Sequence, residues 1–257
     1  MKNGSIGCEP QYHFCRLRAS KISFDGFGRS SAIRSGDPEI VRRVLDDAGT
    51  DYMGHNICLG SSQYRDIDDE SPLHLAVELG NAKVLQELLE SGADTSEKNY
   101  CDNTPLLEAA SRSNPDVVRV LLAAGADTSA RNSENGVPHN TPLHDAVEHG
   151  AAAVVKMLLD AGAGMEVTNG YELTPLQTAI ERGDEEIISM LLNAGAKTCV
   201  VDHNSYTPLH HVTERGEEKV VKMLLDAGAD TSAEDRDERK PYTLNLKPQT
   251  LHRNRKP

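Results

Sequence analysis

Residues 207–230 read TPLHHVTERGEEKVVKMLLDAGAD, and residues 71–94 read SPLHLAVELGNAKVLQELLESGAD. Both stretches begin with a hydroxyl residue followed by Pro, and both place a Gly 9 and again 21 residues later. The hydroxyl–Pro pair recurs with its hydroxyl residue at positions 71, 104, 141, 174 and 207, so the spacings are 33, 37, 33 and 33 residues. A cassette that returns at a nearly fixed period indicates a repeat architecture rather than one compact globule.

Each copy carries the signals of two short helices. A Ser or Thr side chain accepts a hydrogen bond from a free amide at a helix start, and Pro at the first helical position has no amide hydrogen to leave unpaired. The second half of each copy has an apolar stripe at helical spacing, as in Val117, Val118, Leu121 and Leu122. Glycines such as Gly80 and Gly92 are suited to end these helices. Because two short helices cannot bury such a stripe alone, the sequence predicts units that stack on one another.

The recurring cassette resembles the ankyrin repeat, whose period is 33 residues and whose signature is T-P-L-H-x-A. The resemblance covers residues from about 25 to 240. It implies a mainly α fold, an ankyrin-repeat solenoid of about six helix-turn-helix repeats with β-turn fingers. The repeats are predicted to begin near residues 27, 71, 104, 141, 174 and 207. The first copy departs from the signature at residues 27–30, which is expected of a terminal repeat with one face open to solvent.

Three regions follow from the repeat boundaries. Residues 1–24 are expected to form an N-terminal arm that partly caps the stack, and residues 25–238 to form the ankyrin repeat domain. Residues 239–257 are expected to form a basic C-terminal tail that is either capping or disordered. Within it, Lys240-Pro241 lies 33 residues after Thr207-Pro208 and resembles the start of an aborted seventh repeat.

Two insertions interrupt the period, near residues 54–63 and 132–139. Both fall between repeats, where finger loops tolerate added length and often carry function. The sequence leaves two alternatives open: neutral drift in loop length, or a functional role for the added residues.

The formal net charge of −13 is unevenly distributed. Residues 32–238 hold 16 basic and 38 acidic side chains, whereas residues 1–31 hold five basic and two acidic, and residues 239–257 hold six basic and none acidic. An acidic solenoid repels phosphate, so nucleic acid is an unlikely partner. No apolar run approaches the roughly 18 residues of a membrane span, and there is no apolar stretch of a secretory signal near the first Lys. With five widely spaced cysteines and no C-x-x-C, the sequence predicts an intracellular protein, cytoplasmic or nuclear.

No catalytic constellation, cofactor site or small-molecule substrate site emerges from the sequence, which predicts a protein that is not an enzyme. His74, His144 and His210 occupy the same position in three of the five cassettes, and in the resembled family that His bonds to the Thr hydroxyl and to neighbouring backbone. Leu107 and Gln177 occupy this position in repeats three and five, so the bond is expected to be dispensable there. Adjacent helical residues such as His210 and His211 point in different directions and are not expected to hold one metal ion. Cys8-x₄-His13-x-Cys15 lacks a fourth ligand and zinc-motif spacing, so no metal is predicted.

The resemblance implies that a partner protein binds the concave face, which consists of finger tips and the exposed side of each first helix. Tyr and Arg are the residue types that most often anchor protein interfaces. The candidate partner-binding residues on this face are Tyr100, Arg112, His149, Tyr171, Leu173, Arg182, His203, Tyr206 and Arg215. A neighbouring ladder contains Glu78, Glu148, Glu181 and Glu214. These carboxylates either pair with the arginines across repeats or serve binding, and both alternatives stay open.

The predicted function is therefore that of a scaffold or adaptor, a non-enzymatic protein–protein interaction module. An alternative is an adaptor that the basic tail tethers to an anionic surface, either nucleic acid or lipid, while the repeats hold cargo.

Overall fold

The computed structural model describes residues 26–47, 71–99, 101–132, 139–202 and 204–241. These ranges contain twelve α-helices and no β-strand, which confirms the mainly α prediction. The helices are α1 (Gly26–Ser35), α2 (Pro38–Asp47), α3 (Pro72–Glu78), α4 (Ala82–Glu90), α5 (Pro105–Ser111), α6 (Pro115–Ala123), α7 (Pro142–Glu148), α8 (Ala152–Asp160), α9 (Pro175–Arg182), α10 (Glu185–Asn193), α11 (Pro208–Arg215) and α12 (Glu218–Asp226). Taken in pairs along the chain, they form six helix-turn-helix repeats.

The first helix of a repeat begins where the sequence predicts it. Pro is the first residue of α3, α5, α7, α9 and α11, and the residue before it has an extended backbone. The Thr104 hydroxyl accepts a hydrogen bond from the amide of Leu107, and the Thr174 hydroxyl accepts one from Gln177. Each bond satisfies one of the amides that a helix start leaves free. The helix α9 ends at Gly183, which adopts the left-handed conformation with φ 72°.

The second helix of a repeat is capped by a different residue type. The side chains of Asn81, Asn114 and Asp184 accept hydrogen bonds from the amides at the third position of α4, α6 and α10. Asn81 also donates through Nδ2 to the carbonyl oxygen of Gly36, which is 2.9 Å away in the preceding repeat. These caps therefore begin the second helix of each repeat, and Asn81 also links its repeat to the preceding one.

One apolar core runs through all six repeats. First helices contact first helices of neighbouring repeats, and second helices contact second helices, so the repeats stack in two layers. The buried core residues of the described chain are Leu, Val, Ile and Ala, with no aromatic side chain among them. Ala32, Ile33 and Val41 join this core, so the atypical first copy is an integral part of the stack.

A histidine joins each of repeats two, four and six to the finger that follows it, as the resemblance implies. In α7, Nδ1 of His144 lies 2.9 Å from the Thr141 hydroxyl, and Nε2 lies 3.0 Å from the carbonyl oxygen of Leu173. The same pair of contacts occurs at His74 and at His210, whose Nε2 atoms reach the carbonyl oxygens of Asn103 and Arg239. The predicted structural role of these histidines is confirmed.

Gln177 forms an equivalent pair of bonds in repeat five, where the histidine bond was expected to be dispensable. Its Oε1 accepts a hydrogen bond from the amide of Thr174 at 2.8 Å, and its Nε2 donates to the carbonyl oxygen of Val200 at 3.2 Å. An amide side chain therefore replaces the imidazole, because it also has one acceptor and one donor at its tip. Leu107, at the same position in repeat three, has neither an acceptor nor a donor in its side chain and cannot form these bonds.

The fingers are hairpin turns that one Asn or Asp organises from inside. The Oδ1 atom of Asn169 accepts hydrogen bonds from the amides of Tyr171 and Leu173, at 3.0 and 3.1 Å. Asn99, Asp202 and Asp235 accept the equivalent pairs of hydrogen bonds elsewhere in the described part of the chain. Asp235 belongs to a seventh finger, which ends at Arg239 and is followed by a buried Pro241. The residues Arg239 to Pro241, which the sequence analysis assigns to the tail, thus lie against the last repeat.

Several predicted segments lie outside the described residues. These are the arm at 1–24, the insertion near 54–63, most of the insertion near 132–139, and residues 242–257 of the tail. Asn132 and Asn140, at the two ends of the second insertion, are joined by a backbone hydrogen bond of 3.2 Å. The finger therefore closes at its base despite the added residues.

Candidate functional site

Two adjoining depressions lie between the fingers and the layer of first helices. The first has a volume of about 560 Å³ and is lined by residues of repeats three, four and five. The second has a volume of about 650 Å³ and is lined by repeats five and six. Tyr171, Leu173 and Glu181 line both, so the two depressions adjoin at repeat five. We refer to them together as the inner groove.

Four of the predicted partner-binding residues line this groove. They are His149, Tyr171, Leu173 and Arg182. Tyr171 is the most exposed of the large apolar or aromatic residues described, with 59% of its surface accessible. The turn that Asn169 organises holds its backbone, while its ring projects from the finger. Leu173 is half-buried rather than exposed, because its backbone closes the finger and accepts the bond from His144.

The remaining predicted residues have other surroundings. Tyr206 stacks on His210 with ring centroids 5.4 Å apart and an interplanar angle of 24°, and its hydroxyl accepts a hydrogen bond from Arg239 at 3.1 Å. It therefore joins the last repeat to the seventh finger. Tyr100 and His203 lie outside the described residues, so their proposed binding role stays a prediction.

The arginines of the predicted ladder do not share one arrangement. Arg112 pairs with Glu108 of its own helix at 3.0 Å, rather than with a carboxylate of a neighbouring repeat. Arg215 donates to the carbonyl oxygens of Ile180 and Glu181, at 2.9 and 3.1 Å. Arg182 forms no ion pair with any residue in the described ranges, and it lines the groove. Cross-repeat pairing of Glu with Arg side chains therefore does not describe these three positions.

A row of polar residues on the first helices was not predicted from the sequence. Leu75 marks the position in α3, and the equivalent residues of later repeats are Glu108, Asp145, Thr178 and His211. These four are polar where α3 is apolar, and the spacing of 33 or 37 residues was a signal that could have identified them. Each is buried or half-buried beneath the fingers.

Three of these polar residues contact the Asn or Asp of a finger. Asn99 donates through Nδ2 to Glu108 at 3.2 Å, and Asn140 donates through Nδ2 to Asp145 at 2.9 Å. His211 is 3.0 Å from Oδ2 of Asp202. These bonds fix the angle between each finger and its helix, and so they fix the wall of the groove.

Burial and charge act on the carboxylates of this row in opposite directions. Burial raises the pKa of Glu108 above its ordinary value, although the adjacent Arg112 guanidinium opposes that shift. Burial also acts to raise the pKa of Asp202, but the amides of Tyr206 and Asn204 and the neighbouring His211 outweigh it, so the pKa is lowered. The groove beside Asp202 therefore keeps its negative charge at neutral pH.

The inner groove is acidic overall. Its two depressions are lined by the carboxylates of Asp145, Glu148, Glu172, Glu181 and Asp202, and the only Arg or Lys among the same lining residues is Arg182. Among the described residues, no three His, Cys, Asp or Glu side chains are grouped so as to hold a metal ion. No helix in the described part of the chain is long and apolar enough to cross a membrane.

The comparisons with known proteins agree with this architecture. A family model described as ankyrin repeats (3 copies) matches residues 30–132, 73–169 and 143–235. The ankyrin repeat domain of Bcl-3, described as a unique member of the IkappaB protein family, is 25% identical, with a TM-score of 0.73 over 82% of this chain and 90% of that one. An ankyrin repeat domain from Acinetobacter baumannii AYE is 27% identical, with a TM-score of 0.69 over 80% of this chain and 100% of that one.

A third structure is similar in fold alone. The human ASB11 ankyrin repeat domain is 23% identical, with a TM-score of 0.63 over 84% of this chain and 90% of that one. No curated protein matches the chain.

Proposed function

The chain belongs to the ankyrin repeat family, and we propose that it is a non-enzymatic scaffold or adaptor that holds a partner protein in the inner groove. Ankyrin repeats are in general protein–protein interaction modules, and their fold is typically non-enzymatic. Within the described residues, the groove offers a partner both a concave shape and exposed anchoring side chains.

The observation that carries the proposal is the position of Tyr171. This side chain is 59% exposed, lies on a finger whose turn is held by two hydrogen bonds, and lines both depressions. A large side chain on a rigid support loses little conformational freedom on binding, which favours it as an interface anchor. Arg182 lines the first depression with it and makes no competing ion pair with the described residues.

We place this activity in a reducing compartment, the cytoplasm or the nucleus. Cys199 is a free thiol and is exposed. An exposed thiol persists more readily where glutathione keeps cysteines reduced.

Affinity capture with matched variants tests the proposal. Y171A/R182A removes the two exposed groove anchors, whereas K222A/D226A removes two exposed side chains from α12, in the other layer. We expect the wild type and K222A/D226A to capture the same partner and Y171A/R182A to lose it, with circular dichroism showing equal helix content in all three. Capture of the same partner by Y171A/R182A at wild-type yield would contradict the proposal.

A further inference from the structure

The first depression of the inner groove contains two buried amide oxygens that have no donor among the described residues. Asn103 and Asn140 both line it, and the Oδ1 atom of each is buried and accepts no hydrogen bond from any described residue. Asn140 is only 6% exposed. A buried acceptor without a donor is destabilising, so we expect a ligand to supply a hydrogen-bond donor to each of these oxygens.

The orientation of the Asn140 amide is determined by its neighbours. Its Nδ2 donates to the carboxylates of Asp145 and Glu148, at 2.9 and 3.2 Å. Rotating the amide by half a turn would place its oxygen against those two carboxylates, which is repulsive. The oxygen therefore stays where no described donor reaches it.

The charged groups of the same depression are also mostly acceptors. Asp145, Glu148 and Glu181 contribute carboxylates, whereas Arg182 contributes the only guanidinium. Since no three acidic side chains of the described residues are grouped closely enough for one metal ion, the acceptors suit a ligand whose donors are spread along a chain. Tyr171 adds an exposed aromatic ring beside them.

We propose that the inner groove across repeats three to five binds an extended, arginine-bearing segment of the partner protein. This inference rests on the proposed function and names the chemistry of the segment that occupies the groove. Arginine fits better than lysine for two reasons. Its five N–H donors in a planar fork match carboxylate and amide oxygens, and its flat guanidinium stacks on an aromatic ring such as that of Tyr171.

The stacking of the repeats sets the spacing of the arginines. Packed helices lie about 8–10 Å apart, and an extended chain advances about 3.3–3.6 Å per residue. Arginines at every third residue therefore meet the acceptors of successive repeats, with Glu148 in repeat four and Glu181 in repeat five.

Fluorescence anisotropy with a defined peptide tests the proposal on the full chain. The probe is Gly-Arg-Gly-Gly-Arg-Gly-Gly-Arg-Gly carrying a dye, and its control has citrulline, the neutral isostere, in place of each arginine. We expect the arginine peptide to bind about tenfold or more tightly than the citrulline peptide, and to weaken as salt is raised.

Matched variants locate the binding. E148Q/E181Q removes two charges from the groove, whereas D160N/D226N removes two charges from exposed ends of α8 and α12 in the other layer. We expect E148Q/E181Q to lose about tenfold in affinity and D160N/D226N to retain it. N103L, which removes one unpartnered amide oxygen, should also weaken binding.

Four results would overturn the proposal. The first is equal affinity for the arginine and citrulline peptides, and the second is an equal loss in D160N/D226N and E148Q/E181Q. The third is calcium ions binding at the groove while the arginine peptide does not. The fourth is a large gain in peptide affinity on removing residues 242–257, which would assign the groove to the chain's own basic tail. Y171A/R182A could lose the partner in affinity capture while the arginine and citrulline peptides bind equally. In that case the proposed function stands and only the arginine assignment is wrong.

Discussion

The Nε2 atom of His144 lies 3.0 Å from the carbonyl oxygen of Leu173, so a side chain of repeat four closes the finger of repeat five. The amide of Thr141 donates to Nδ1 of the same ring at 3.3 Å, which makes Nδ1 the acceptor and Nε2 the donor. The hydrogen bond from the Thr141 amide to Nδ1 therefore requires the neutral imidazole. Burial lowers the pKa of His144 from 6.5 to about 4, although the bond to Leu173 opposes that shift.

This pKa makes the stability of the stack dependent on pH. Between pH 6.5 and about 4, the unfolded chain binds a proton at His144 and the folded chain does not, so the free energy of unfolding falls as pH falls. We expect the wild type to lose on the order of 3 kcal/mol from this group by pH 4. The variant H144Q should lose less over the same range, because Gln177 shows that an amide makes equivalent bonds in repeat five.

Urea unfolding at a series of pH values measures the difference. H149Q, at an exposed position of the same repeat, is the control and should follow the wild type. An equal pH dependence in H144Q and the wild type would show that His144 does not supply the effect.

Two glycines that end helices should differ in their tolerance of a side chain. Gly80 and Gly125 both have positive φ, of 65° and 80°. A Cβ on Gly125 would meet nothing within 4 Å, whereas a Cβ on Gly80 would lie 2.9 Å from Nδ2 of Asn114. Asn114 cannot move freely, since its Oδ1 caps α6 through the amide of Val117 at 3.3 Å.

We expect G125A to cost about 1 kcal/mol for the left-handed backbone, and G80A to cost about 1 kcal/mol more for the disturbed cap. Chemical denaturation of both variants measures these changes. The idea fails if G80A is no more destabilising than G125A.

The two described finger tyrosines should separate into a binding and a structural residue. Y171A removes an exposed ring, and we expect a change in the free energy of unfolding within about 0.5 kcal/mol. Y206A removes the stack on His210 and the acceptor for Arg239, and we expect a loss of about 1–2 kcal/mol. Equal stability of the two variants, measured by urea titration, would contradict this assignment.

The seventh finger should act as a cap on the last repeat. His210 is fully buried and its Nε2 bonds to the carbonyl oxygen of Arg239 at 3.2 Å. A chain ending at residue 241 keeps this bond and the contact between Arg239 and Tyr206. A chain ending at residue 234 loses both.

We expect the chain ending at residue 241 to unfold within about 0.5 kcal/mol of the wild type, and the chain ending at residue 234 to lose about 2 kcal/mol or more. Thermal and urea unfolding of the two truncated chains give the comparison. A chain ending at residue 234 that is as stable as the longer one would show that the seventh finger is not a cap.

The fold could be predicted from the sequence because each repeat restates the same local signals. Thr104 and Pro105 mark a helix start by their own chemistry, and a hydroxyl residue followed by Pro at five positions removes the ambiguity of any single pair. The candidate site could be predicted only in part. Tyr171 was identified from its residue type on a finger, and it is exposed as expected.

What the sequence did not reveal depends on contacts between distant residues. Tyr206 has the same residue type as Tyr171 and also lies on a finger. Its hydroxyl, however, accepts a hydrogen bond from Arg239, 33 residues later in the chain, which gives Tyr206 a structural role. Arg215 likewise donates to the carbonyl oxygens of Ile180 and Glu181, which lie 35 and 34 residues earlier in the chain. Such pairings follow from the stacking geometry and not from the spacing of one repeat.

Photo-cross-linking most directly tests the central claim that the inner groove holds the partner. A benzophenone amino acid is placed at Tyr171 in one chain and at Asp226, on the exposed end of α12, in another. After irradiation in cell extract and mass spectrometry, the account predicts one partner protein cross-linked at position 171, on a peptide that contains arginine, and none at position 226. The same partner cross-linked at 226 and absent at 171 would contradict it.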